Sequence, residues 1–336
     1  MKSVLVYSPD YDISLPGLDW LHPFDGRKFS RAWARLQAIS RGACERVHVR
    51  PEQPISKVDL LRIHSQAYLD ALGSASVVAK ALEIAPLAWL PGTVIERRIL
   101  KPMRLATAGT LLAARNALRE SAVAMNVGGG FHHAFRDHGE GFCIYADVAI
   151  ALAVLRAEGV LAGEDPIAVI DLDAHRGNGV WDLCGADPMV RLLDIYNFQV
   201  YPGLFPGLVE EFPFQIPVKA RTSDEAYLSI LQEELPAFLD QAPPRLAIYN
   251  AGTDILEGDP VGRLSVSAEG VMQRDAIVLD ALVQRGIPTA IVTSGGYTAK
   301  SHELIAQLAV RVLEQANKPS PAKPANGANL DGPASA

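Results

Sequence analysis

Four short stretches of the chain carry side chains that could do chemistry. The densest is Ile170-Asp171-Leu172-Asp173-Ala174-His175-Arg176-Gly177-Asn178-Gly179. Alternate side chains of an extended chain share a face, so Asp171, Asp173 and His175 point to one side if the extended conformation persists. Two carboxylates and an imidazole crowded together desolvate badly and repel unless a cation joins them. Mixed nitrogen and oxygen donors suit Zn2+, Fe2+, Mn2+ or Co2+. The competing reading is a solvated acidic loop, and the apolar run that precedes it favours the metal. A second stretch, Tyr249-Asn250-Ala251-Gly252-Thr253-Asp254-Ile255-Leu256-Glu257-Gly258-Asp259, delivers one more carboxylate. Asp254 could join Asp173 and His175 as a third protein ligand, which leaves a position open for a reacting molecule. Asp259 reads as a turn residue or a support for the site rather than a fourth ligand.

The third stretch is Val127-Gly128-Gly129-Gly130-Phe131-His132-His133. A dinucleotide fingerprint needs GxGxxG opening a helix, and Phe131, His132 and His133 break that spelling. Two adjacent histidines in a tight glycine turn instead suggest imidazoles brought close to a reacting centre; the bland alternative is a surface pair. The fourth, Thr293-Ser294-Gly295-Gly296-Tyr297, offers a phenol, a neutral donor suited to polarising a carbonyl. Standing alone it would read as a partly packed loop tyrosine. No GxSxG occurs, and no cysteine sits beside a suitable base. The four stretches together read as metal-assisted hydrolysis by an activated water.

What must position these residues is an alternation of strands and helices. Val4–Tyr7, Ala122–Val127, Ile167–Asp171, Val190–Ile195, Leu246–Tyr249 and Thr289–Thr293 are short and β-branched or apolar. Several are continuous apolar runs, as expected of strands buried on both faces of a parallel sheet. Helices are expected over Leu105–Glu120, Ile144–Glu158, Asp224–Leu239, Ala268–Arg285 and Thr298–Gln315. Thr222-Ser223-Asp224-Glu225 is a capping-box spelling, Ser267 precedes one helix, and Gly286 and Pro288 end it. The fold class is therefore α/β, doubly wound, with a mostly parallel central sheet flanked by helices. All four stretches follow strands, at the edge where open α/β sheets bind ligands. One domain over residues 1–315 is expected. Residues 316–336, rich in Asn, Pro, Ala, Gly and Ser from Asn317 onward, read as a disordered tail.

Of 336 residues, 49% are hydrophobic and 21% charged, which excludes a disordered, collagenous or coiled-coil chain. Lys+Arg is 31 and Asp+Glu 38, so the net charge is -7 and there is no bulk attraction to nucleic acid or anionic membrane. Cys44, Cys143 and Cys184 lie far apart, against a disulfide framework. No signal segment or membrane span is read, and a cytoplasmic enzyme is the default expectation.

The sequence resembles the arginase/deacetylase superfamily and, within it, the zinc-dependent histone deacetylases. The resemblance is carried by Gly129-Gly130-Phe131-His132-His133-Ala134, Gly141-Phe142-Cys143, Asp171-Leu172-Asp173-Ala174-His175, Gly252-Thr253-Asp254 and Gly295-Gly296-Tyr297. Tyr7-Ser8-Pro9, Leu21-His22-Pro23-Phe24-Asp25, Asn126–His133, Asp171–Gly179 and Tyr249–Asp259 are similar to the class IV branch. The resemblance covers about residues 4–315. It implies one catalytic divalent metal, usually Zn2+ with Fe2+ as the alternative, bound by Asp173, His175 and Asp254. It further implies that the metal and His133 activate water, that His132 assists electrostatically, and that Tyr297 and the metal stabilise the oxyanion. Asp171 would orient His132. A structural K+ is implied near Asp171, Asp173, His175 and Asp194. Gly141 and Phe142 would line an acyl-lysine tunnel, with the Gly141 carbonyl accepting from the substrate amide. Class I relatives have an aspartate where this chain has Asn178, the implied partner of His133. An amide holds an imidazolium less well than a carboxylate does, so His133 should be the more easily neutral. Arg176 replaces a histidine of the class I spelling.

The leading expectation is a lysine deacetylase or deacylase acting on protein or peptide substrates, with long acyl chains implied for class IV. The alternative is an amidohydrolase of acetylated polyamines or other small acylated amines at the same site. A catalytically silent scaffold is disfavoured by retention of all three ligands, both histidines and Tyr297. Binuclear arginase chemistry is disfavoured because His132, His133 and Tyr297 stand where second-metal ligands would be.

Overall fold

Eight short strands hydrogen-bond into one sheet in the order β2-β1-β3-β8-β7-β4-β5-β6. They are β1 (Lys2–Val6), β2 (His48–Val49), β3 (Ala122–Asn126), β4 (Ile167–Asp171), β5 (Val190–Asn197), β6 (Gln215–Val218), β7 (Leu246–Asn250) and β8 (Thr289–Val292). The computed structural model describes residues 1–13, 25–204 and 214–315. Leu21–Phe24 of one resembling motif and the expected tail over 316–336 lie outside the described residues.

Every strand pairing is parallel. The expectation of a mostly parallel sheet is thus met without an antiparallel member among the described residues. β3, β4, β7 and β8 are buried at every position. Along β3, Val123 and Met125 join one apolar layer while Ala124 joins the other. Helices Lys28–Ser40, Asp224–Asp240, Ala268–Gln284 and Ser301–Gln315 supply the first layer. Helices Lys101–Glu120 and Asp147–Ala157 supply the second. Covering both faces is what lets continuous apolar strands exist.

The two edge strands and the helix over Lys28–Ser40 carry no expectation from the sequence. β6 holds Pro217, which cannot donate to a ladder and is tolerated only at an edge. The helix expected from Ile144 starts at Asp147. The residues before it are used elsewhere: the Ile144 carbonyl accepts from Tyr68 Oη (2.9 Å), and Ala146 N donates to His64 Nε2 (3.0 Å). The capping box spelled by Thr222 and Glu225 does not form: the helix is capped one residue later, at Ser223, and Thr222 Oγ1 donates to the Lys219 carbonyl (2.7 Å). The Asp224 carboxylate reaches across to Ser267, accepting from its N (2.6 Å) and Oγ (2.5 Å). Ser267 caps its own helix by accepting from Gly270 N (3.0 Å).

Four adjacent central strands, β3, β8, β7 and β4, end at the four chemical stretches. The topology alone therefore gathers them over one edge of the sheet.

Candidate metal and active site

Past β4 the chain does not stay extended. Asp173 N donates to Asp171 Oδ1 (3.2 Å) and His175 N to Asp173 Oδ1 (2.9 Å), successive turns closed by aspartate side chains. This corrects the expectation that Asp171, Asp173 and His175 share a face. Asp171 turns to His132 Nδ1 (2.8 Å) and accepts from Asn250 Nδ2 (2.9 Å), while Asp173 and His175 meet Asp254 from β7.

Asp173, His175 and Asp254 are buried, and one donor atom from each lies within 4.8 Å of the others. His175 Nδ1 is 3.0 Å from Asp173 Oδ1 and 2.9 Å from Asp254 Oδ2. Burial and the neighbouring Asp173 charge push Asp254 up to about 7. Burial disfavours a charged His175, yet hydrogen bonds to Asp173 and Asp254 raise it to about 10. With Asp254 and His175 both raised, the cluster favours protons beside its carboxylates, the behaviour of a place that needs positive charge. A Cβ on Gly295 would stand 2.1 Å from Asp254 Oδ2 and 2.5 Å from Asp173 Oδ2, so only glycine lets the chain pass this close. These residues fit a divalent cation with mixed oxygen and nitrogen donors.

The triad is held from behind. Ser294 Oγ (2.5 Å) and Gly295 N (2.8 Å) donate to Asp173 Oδ2, and Ala174 N donates to Asp254 Oδ1 (2.8 Å). The wholly buried Arg274 donates through one nitrogen to the carbonyls of Leu172 (3.1 Å) and Gly252 (2.5 Å), joining the two loops that carry the ligands. Asp259 accepts from the backbone of Val261, Gly262 and Tyr297, so it braces the Tyr297 loop.

The two histidines sit with ring centroids 4.1 Å apart, both buried. Their turn is fixed by Asp147, which accepts from Gly130 N (2.8 Å), Phe131 N (2.8 Å) and Thr110 Oγ1 (2.6 Å). Their environments push them apart. Burial opposes a charged His132, but Asp171 and Asp173 carry it up to about 9. Burial, with His132 and His175 close by, holds His133 well below its ordinary value. His133 Nδ1 lies 2.6 Å from Asn178 Oδ1, and Asn178 Nδ2 donates to Glu140 Oε1 (2.8 Å). With its oxygen toward the ring, Asn178 accepts from Nδ1–H and leaves the His133 Nε2 lone pair free to act as a base.

Tyr297 stands with its ring centroid 6.4 Å from that of His175 and 5.8 Å from that of Phe142. Burial and the charges of Asp254 and Asp173 hold its phenol well above the ordinary range, so it stays a donor. Gly141 (φ 52°) and Phe142 (φ 66°) share the wall of a pocket with Tyr11, Ile13, Phe29, Met103 and Phe131. A Cβ on Gly141 would meet His133 Cδ2 at 2.4 Å. The positive φ of Phe142 is strain kept where the ring must face Tyr297.

Asp194, on β5 beside Asp171, is buried. Its Oδ2 accepts from Gly177 N (3.0 Å) and Trp181 Nε1 (3.2 Å), while Oδ1 has no hydrogen-bond partner among the described residues. Burial and the Asp171 charge push its carboxyl well above the usual range. Arg176 donates from Nε to Gln215 Oε1 (2.8 Å) and so ties this loop to β6.

Sequence reasoning missed Lys28. It is buried on the wall of the same pocket and its Nζ donates to the Ser294 carbonyl (2.5 Å). Burial lowers its pKa, against the carboxylates of Asp254 and Asp173. Arg274 did leave a signal: it lies three residues after Val271 and four before Val278, on the apolar face of its helix.

The Asn178→Asp variant tests the histidine pair. A carboxylate there raises the His133 pKa, by roughly one unit or more for an opposite charge at contact. A histidine base works in its neutral form, so with His133 in that role the acid limb of the pH profile of kcat/KM moves to higher pH. An unmoved limb would separate His133 from the base role.

A family model described as the histone deacetylase domain matches residues 22–313. Histone deacetylase 2 of Arabidopsis thaliana is 40% identical over 308 residues, covering 91% of this chain and 77% of that protein. Acetoin utilization protein AcuC of Bacillus subtilis is 28% identical, covering 79% of this chain and 69% of that one. The crystal structure of the HDA15 HD domain superposes with a TM-score of 0.72 at 20% identity, covering 93% of this chain and 90% of that chain.

Proposed function

Because the chain belongs to the histone deacetylase family, whose model spans residues 22–313, we propose that it is a metal-dependent hydrolase of N-ε-acyl-lysine amides. The observation that carries this reading is the meeting of a buried three-donor set with two buried histidines and a phenol at one largely apolar pocket. Asp173, His175 and Asp254 would hold the cation, Zn2+ as the usual ion. Once bound, such an ion polarises the amide carbonyl and makes water more acidic.

The remaining steps belong to this chain's side chains. The lysine stem lies along Phe142 and Gly141, with the substrate N–H donating to the Gly141 carbonyl. His133 Nε2 takes a proton from water as its oxygen bonds to the carbonyl carbon. Tyr297 donates to the carbonyl oxygen as that becomes negative. His132, paired with Asp171, supplies positive charge beside the site. The C–N bond then breaks as the proton passes from the histidine pair to the leaving amine, and once the new carboxylic acid gives up its proton to that amine a carboxylate and a lysine ammonium remain. The orphaned Asp194 Oδ1 supports a K+ nearby.

The acyl group would occupy the pocket beside the donors. Its walls of Ile13, Phe29, Met103 and Phe131 suit an apolar acyl chain. The room inside is about 40 Å³, so a long chain has to displace Met103, the side chain that repacks most readily. No described helix is long and apolar enough to cross a membrane. The three cysteines are free and buried, which supports a cytoplasmic setting.

The test compares zinc-loaded enzyme on acetyl-, octanoyl- and myristoyl-lysine peptides beside acetylputrescine. Hydrolysis of the peptides is expected, fastest for the longer acyl groups. Clear preference for acetylputrescine would favour the small-amine reading, and no turnover of any amide would overturn both.

A further inference from the structure

The family resemblance assigns no role to Glu140, yet it stands directly behind the base. Its Oε1 accepts from Asn178 Nδ2 (2.8 Å) and from the Tyr201 hydroxyl. Asn178 Nδ2 is also 3.4 Å from that hydroxyl, and the Tyr201 ring packs edge-on against His133 at 5.1 Å. The other Glu140 oxygen is 3.7 Å from His138 Nε2. A primary amide can be turned end for end at little steric cost, and the turned form would be wrong here. It would set NH2 against His133 Nδ1, force the proton onto Nε2, and leave that nitrogen a hydrogen-bond donor without a lone pair where a base is needed. The turned amide would also set its oxygen against the Glu140 carboxylate. Gly179 N, donating to Asn178 Oδ1 (3.1 Å), favours the same orientation, but that is a neutral bond. The bond to Glu140 is charge-assisted and the stronger of the two.

We propose that Glu140, with Tyr201, is a positioning residue that locks the Asn178 amide with its oxygen toward His133 and thereby keeps the His133 Nε2 lone pair on the reacting side. The proposal rests on the reading of His133 as base. Where class I relatives set a carboxylate against this histidine, the present chain keeps one a single amide further out.

This arrangement makes a prediction about coupling. With Asn178 present, Glu140→Gln removes the charge and lets either end of the new amide face Asn178. With Asn178→Asp, there is no amide left to orient, and Glu140 faces a carboxylate that repels it.

The experiment is a double-mutant cycle over Glu140→Gln and Asn178→Asp, each enzyme zinc-loaded and assayed at the plateau of its own pH profile. Glu140→Gln is expected to lower kcat by roughly tenfold in the parent, the size of one hydrogen bond to a charged group, with KM little changed. In the Asn178→Asp background the same substitution is expected to be neutral or to raise kcat. Equal losses in both backgrounds, or a loss carried wholly by KM, would overturn the proposal in favour of a structural or substrate-rim role. A readout independent of turnover is the ¹⁵N spectrum of His133 in the zinc-loaded protein. It is expected to show the proton on Nδ1 in the parent and a mixture of tautomers in Glu140→Ala; a single unchanged tautomer in both contradicts the proposal. An inactive parent would break the deacylase reading, whereas an active parent with a flat cycle would break only this inference.

Discussion

Tyr297→Phe is expected to cut turnover by about 2.7–4 kcal/mol of barrier, roughly 10²–10³-fold, the effect of deleting one donor to a developing oxyanion. Phenylalanine keeps the ring that packs against Phe142 and His175, so the pocket wall stays in place. What is lost is a hydroxyl whose proton is held firmly, because its ionisation is opposed by desolvation and by Asp254 and Asp173. The Tyr297 backbone N–H still donates to Asp259, so the loop keeps its brace. The fall therefore appears in kcat and kcat/KM together, with metal content unchanged by elemental analysis. Unaltered turnover would remove Tyr297 from the mechanism.

Asp254→Ala acts one step earlier. It deletes one of three donors, and also the acceptor for Ala174 N and a partner of His175 Nδ1. Two remaining ligands, Asp173 and His175, do not make a site that survives dialysis against a weak chelator. Metal content is expected to fall from one ion per chain to near none, and activity to background. The variant's fold should persist, since Asp254 makes no apolar contact layer of its own and Arg274 still joins Leu172 to Gly252. A variant that kept its full complement of metal would break the ligand assignment.

The parts of this site that were legible from sequence share one cause. Strands buried on both faces must be apolar throughout, so β3, β4, β7 and β8 stand out, and the first polar residues after them mark the ligand-binding edge. Where local geometry decided the matter, the extrapolation failed. Aspartate side chains close turns on their own backbone, so the chain past Asp171 bends and Asp171 leaves the ligand face for His132. The capping-box spelling failed in the same local way, because the helix begins one residue later, at Ser223, and Thr222 Oγ1 is spent on the Lys219 carbonyl.

The residues that support the site were hidden for a different reason. Asp147 reads as an interruption of an apolar helix until its carboxylate is seen to grip the turn of His132 and His133. Lys28 meets the Ser294 carbonyl across 266 residues of chain. Glu140 acts on His133 only through Asn178. Each contact is set by packing of whole elements, and no periodicity in a short window carries it. The edge strands were hidden too, since β2 has only two residues and β6 carries Gln215 and Pro217 where an apolar run would be.

The central claim is that one divalent ion at Asp173, His175 and Asp254 makes the chain an amide hydrolase. It is tested most directly by stripping the parent enzyme of metal and titrating Zn2+ back while following carboxylate release from an acyl-lysine peptide. Activity should start at background, rise linearly and break at one ion per chain. Full activity in the stripped protein, or a titration that stays flat through several equivalents while Zn2+ binds, would contradict it.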